Sequence, residues 1–116
     1  MRIPDLLKIG GKHYAVKITD NLSLGSSSYA GEINYAGLEI RIAPHPLEVM
    51  EESFIHEMIH GIMAHLGYTE HDEKKIEELA AALYMVIQDN PEVFLPHAKD
   101  VFIPRAEELS QGGATQ

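Results

Sequence analysis

Apolar residues in the first third of the chain alternate with polar ones or gather into short β-branched runs, the two-residue period of half-buried strands. Four segments carry this pattern, at residues 6–9, 13–18, 31–35 and 38–42, with Gly10-Gly11 and Ala36-Gly37 as the turns within each pair. Residues 21–28, with Gly25 and the run Ser26-Ser27-Ser28, read as a surface loop joining two hairpins rather than a linker between domains. The period then lengthens to that of a helix. Pro44-His45-Pro46 breaks the sheet, and Pro46 suits a first helical position because its missing N–H has no partner there. A helix is predicted from residue 46 to 66, stopped by Gly67. Thr69 and Asp72 propose a capping box for a second helix, which runs to about residue 89 before Asn90-Pro91 ends it. The two helices would form a tight hairpin.

The expected fold class is therefore α+β, a small, mainly antiparallel sheet packed on a helical hairpin. Val93, Phe94 and Leu95, then Val101, Phe102 and Ile103, are expected to pack back on a single domain of residues 1–109, with residues 110–116 as a frayed tail. At 116 residues and 45% apolar content the chain suits one domain with one core. Cysteine is absent, so disulfides and thiolate metal sites are excluded, and a metal must be held by His, Asp or Glu. No segment has the length of a signal peptide's apolar core or of a membrane span, which leads us to expect a cytoplasmic protein. A net charge of −9 disfavours nucleic acid and anionic membranes as partners.

Within the first helix stands His56-Glu57-Met58-Ile59-His60. Two imidazoles one turn apart project to one side and can share a Zn²⁺ ion, while the glutamate between them is placed to take a proton from water there. The pattern is short enough to arise by chance, so its setting matters. Ser53, His56, Glu57, His60 and Ala64 share one wedge of the helix, and Leu47, Phe54, Ile55, Met58, Ile59, Ile62, Met63 and Leu66 cover about half of the wheel. A wedge bordering so broad an apolar face, without lysine or arginine, differs from an ordinary solvent face.

A third ligand is expected from the second helix. In a regular hairpin with equal rise on both arms, the level midway between His56 and His60 is regained near Glu77, with Glu73 about one turn closer to the bend. Phase places Glu77 on the margin of the stripe formed by Ile76, Leu79, Ala80, Leu83 and Ile87, and Glu78 on the far side. His13, His45, His65, His71 and His97 read as ordinary surface histidines. Tyr84 lies two turns beyond Glu77 and could donate to a developing oxyanion, although a core tyrosine is the commoner case.

These features resemble a minimal gluzincin, similar to the small phage and prophage zincin-like metallopeptidases related to the ImmA/IrrE group. The resemblance extends over most of residues 1–91. It includes Ile9-Gly10-Gly11 with Tyr14 and Val16, the strand at 31–35, the histidine motif, and Ile76-Glu77-Glu78-Leu79-Ala80 leading through Leu83-Tyr84 to Asp89-Asn90-Pro91. It implies a zincin-like fold, a Zn²⁺ cofactor held by His56, His60 and Glu77, Glu57 as general base, and a peptide or protein as substrate. Metzincins match poorly, because Met63 and Leu66 stand where their glycine and third histidine would be. Two other functions are open: a non-catalytic zincin-fold module of a phage or mobile element that acts on a host protein, and a structural zinc protein with a fourth protein ligand.

Overall fold

A computed structural model describes residues 1–22 and 30–94. The expectations for the serine run, for residues 95–103 and for the tail lie outside the described residues. So does the fate of His97. The strands are β1 (Leu6–Ile9), β2 (Lys12–Ile18), β3 (Gly31–Asn34) and β4 (Glu39–Ile42), followed by helices α1 (Leu47–His65) and α2 (Glu73–Asp89) and a 3-10 turn at Pro91–Val93. The fold is α+β, with a four-stranded, mostly antiparallel sheet and two helices.

Gly10 and Gly11, at φ 57° and 87°, form the turn between β1 and β2, a conformation in which both central residues need positive φ. The sheet order is β1-β2-β4-β3. Both hairpins are antiparallel, and they meet through a parallel pairing of β2 with β4, in which Val16 stands opposite Ile40 and Ile18 opposite Ile42. The later hairpin thus enters with its second strand innermost, and among the described residues β3 is an edge strand. Tyr14 and Val16 of β2 and Ile40 and Ile42 of β4 point to one face and into the core. Side chains between them on the other face include Lys17, Glu39 and Arg41, where the Lys17 ammonium and then the Arg41 guanidinium, hydrogen-bonded to Glu39, hold its carboxyl below the ordinary carboxylate value.

α1 lies against β1, β3 and β4, and α2 packs on α1 rather than on the sheet. The first helix is therefore the middle layer. From Met50 to Gly61 none of its residues is exposed, which explains an apolar distribution too broad for a helix covered on one side only. α2 is the outer layer and buries a single stripe, Ile76, Ala80, Tyr84 and Ile87. Its N-cap is Asp72, whose side chain accepts from the Lys75 backbone N–H at 3.2 Å. The expected Thr69 cap is thus displaced by three residues, and 68–72 form a non-helical return. Val93 and Phe94, expected to pack back on the domain, are exposed.

At Gly61, α1 lies close against side chains of the sheet. A Cβ there would stand 2.7 Å from Ile9 Cδ1 and 3.2 Å from Ile33 Cδ1. Ile9 belongs to the core and Ile33 packs against it, so an added side chain at 61 would have to displace both. Gly61→Val should accordingly destabilise the protein by about 1–3 kcal/mol through overpacking. Urea unfolding is the check, and a variant as stable as the parent would show that the helix-sheet gap is wider than described.

Candidate metal centre

Helix geometry turns His56 and His60 to the same side of α1, and the return segment brings Glu73 to meet them. His56 Nε2 lies 2.5 Å from Glu73 Oε1, and His60 Nε2 lies 3.2 Å from Oε1 and 3.1 Å from Oε2. One ligand atom from each residue lies within 4.8 Å of the other two. Two imidazoles and a carboxylate are a donor set of catalytic zinc sites, which leave another coordination position to water or substrate. The donor chemistry therefore fits Zn²⁺. His56 and His60 are half-buried and Glu73 is exposed, so the carboxylate forms the open side of the group.

The carboxylate that meets the histidines is Glu73, whereas the sequence pointed to Glu77. Glu77 is exposed and lies one turn further along α2, lining the same cavity. The phase around the helix is the expected one, since residues four apart share a face. The level differs because the return is not helical. Residues 68–72 precede the helix, and a non-helical chain covers up to about 3.3 Å per residue against about 1.5 Å in a helix. The chain regains the level of the histidines about one turn earlier than a ruler of equal rise allows. Glu78 is exposed and pairs with Lys74 at 3.7 Å.

Glu57 is 7% exposed and lies on the wall of this cavity. Burial, then the charge of Glu73 and that of Glu32, push its carboxyl up to about 8. Burial opposes ionisation of Glu73 too, but there the hydrogen bonds and charges of His60 and His56 prevail and hold the carboxyl below its ordinary value. The cavity has a volume of about 590 Å³ and is bounded by β3, α1 and α2, with Gly31, Ile33 and Tyr35 along the strand side. Burial, followed by the charge of Glu57, Tyr14 and Glu73, raises the Tyr35 phenol to about 12.

Tyr84 is a core tyrosine, the commoner of the two roles open to it, rather than an oxyanion donor: it is buried and donates to Glu51 Oε1 at 2.6 Å, so its hydroxyl is engaged away from the cavity. His71 is no ordinary surface histidine, because its Nδ1 lies 2.7 Å from Nδ1 of His60. No repeat pattern marks it, and only the path of the return segment brings it there. Tyr35 was legible only as the end of a strand. The chain matches no known family model, no curated protein and no solved structure. Among the described residues no helix is long and apolar enough to cross a membrane.

Two outcomes follow from this geometry. On zinc titration followed by calorimetry, Glu73→Ala should weaken binding at least tenfold, while Glu77→Ala should stay within a few-fold of the parent; the reverse ranking would return the ligand role to Glu77. The second concerns Glu57 in the metal-free protein. Its folded value, about 8, is above the ordinary 4.5, so the stability contributed by its neutral form is complete below about pH 4.5 and is lost as pH rises through about 8. With a chelator present, Glu57→Gln should be more stable than the parent by about 3 kcal/mol near pH 7, the gap closing toward pH 4. A gap that does not change over that range would contradict the buried, acidic setting of Glu57.

Proposed function

We propose that this protein is a zinc-dependent peptidase of the minimal gluzincin type, with His56, His60 and Glu73 as the metal ligands and Glu57 as the general base. The observation that carries this reading is the convergence of the three ligand atoms beside a buried carboxyl, on a cavity bordered by an edge strand. When bound, Zn²⁺ supplies Lewis acidity toward a carbonyl and makes water a stronger acid. Glu57 accepts the proton of the attacking water and delivers it to the amine that leaves when the peptide C–N bond breaks. A carboxyl held in a poorly solvated wall between α1 and the sheet suits both roles, since a nearby cation favours its charged form and the loss of that charge is cheap.

The substrate class follows from the cavity's strand side. Among the described residues β3 is an edge strand, so an extended peptide can add its main-chain hydrogen bonds to the sheet and run past the histidines, a mode that accepts varied side chains. Tyr35, at the end of this strand and protonated over the whole physiological range, is placed on the same cavity wall to donate to a carbonyl oxygen on which charge develops. With three ligand residues in the group, a closed structural zinc site is the weaker alternative, and the described residues bring no fourth carboxylate or imidazole into it.

Zinc-loaded protein assayed on a library of quenched peptides should show cleavage. Glu57→Gln should abolish turnover while keeping the metal, and Tyr35→Phe should lower kcat by about 100-fold. If the zinc-loaded parent cleaves nothing and yet binds peptides, the fold serves as a binding module. Turnover surviving in Glu57→Gln would remove the glutamate from its role as base.

A further inference from the structure

The return segment brings the ring of His71 against that of His60. His60 Nδ1 and His71 Nδ1 are 2.7 Å apart. The ring centroids are 5.0 Å apart and the rings are tilted by only 23°. That centroid distance exceeds the nitrogen-nitrogen distance by about the radii of two five-membered rings, so the nitrogens point at each other along the line of centres. The contact is edge to edge, with one proton between two ring nitrogens, rather than face to face.

Which ring owns that proton is decided at the far end of His71. Its Nε2 lies 3.1 Å from the carbonyl oxygen of Tyr68. A backbone carbonyl only accepts, so Nε2 of His71 must carry hydrogen and donate. In a neutral ring the other nitrogen is then an acceptor. His71 Nδ1 therefore accepts, His60 Nδ1 donates, and His60 Nε2 is left with a lone pair. When both rings are neutral that lone pair faces the Glu73 carboxylate at 3.1–3.2 Å, acceptor against acceptor, so the contact holds only through a cation, either a proton shared with Glu73 or a metal ion.

We propose that His71 is a positioning residue that locks His60 in its Nδ1–H tautomer, through a relay running from the Tyr68 carbonyl to the His60 Nε2 lone pair, and so pre-sets that nitrogen to bind a metal. The role rests on the metal site proposed above, but the tautomer itself is a property of the metal-free protein. Ligating histidines commonly donate their second N–H to a carboxylate, a carbonyl or water. Here the acceptor is a second imidazole, itself oriented by the main chain. His71 is not a ligand in this arrangement, because one ring nitrogen is engaged by His60 and the other by Tyr68.

The test is long-range ¹H–¹⁵N NMR of ¹⁵N-histidine-labelled, metal-free protein at a pH about two units above the ordinary histidine value near 6.5. In the parent, His60 should be the Nδ1–H tautomer and His71 the Nε2–H tautomer. His71→Phe keeps a ring but removes the acceptor, and should shift His60 toward the Nε2–H tautomer and weaken zinc binding by about 10–100-fold. His71→Asn, which offers a side-chain carbonyl oxygen, should restore part of both. Backbone amide spectra of each variant establish that the fold is intact. A parent in which His60 is the Nε2–H tautomer would overturn the proposal, as would a folded His71→Phe variant with unchanged His60 shifts. A parent that shows the Nδ1–H tautomer but binds no zinc would sink the metal site and leave the relay standing.

Discussion

Burial of α1 on both sides is the constraint on which the rest of this structure depends. A helix covered by a sheet on one side and by a second helix on the other has little surface left for polar residues. His56, Glu57 and His60 occupy that remainder, where the walls of β3 and α2 come close without meeting. Gly61, one position after the motif, lets the helix settle against Ile9 and Ile33. The same close packing takes Glu57 out of water. Three carboxyl groups, Glu32, Glu57 and Glu73, then interact through a medium that screens charge poorly, which raises Glu57 and makes the cavity a place where positive charge is favoured. On this account the layering does more than display a motif, because it sets the electrostatics in which the motif works.

Much of this architecture can be read in the chain. All four strands are marked by alternation or β-branching, and their observed limits differ from the expected ones by a residue at most, as where β2 begins at Lys12 and β4 at Glu39. The breadth of the apolar face of α1 anticipates a helix covered on more than one side. What hydrophobic period does not encode is which strand lies beside which. Nothing in residues 13–18 or 38–42 reveals that β2 and β4 pair in parallel, because alternation is the same whichever neighbour supplies the hydrogen bonds.

The candidate site divides along a similar line. Residues whose relation is fixed within one helix, His56, Glu57 and His60, are legible because 3.6 residues per turn settles their directions. Relations that cross the return from α1 to α2 are not. Phase survives that crossing, since Glu73 and Glu77 share a face, but level depends on how far the residues between the helices travel. His71 is hidden for the same reason, as its ring meets His60 only because residues 68–72 run back beside α1. Tyr84 takes the commoner of the two roles its sequence position allows, a core tyrosine, with the buried carboxylate of Glu51 accepting from its hydroxyl.

The meeting of His56, His60 and Glu73 around one metal ion is the central claim, and a crystal structure of the zinc-loaded protein, with anomalous diffraction collected across the zinc edge, tests it most directly. The account requires one strong anomalous peak at about 2.0–2.2 Å from His56 Nε2, His60 Nε2 and a Glu73 oxygen, with His71 still hydrogen-bonded to the far side of His60. A peak held by Glu77 in place of Glu73, a peak ligated through His60 Nδ1, or no peak at the histidine pair would contradict it.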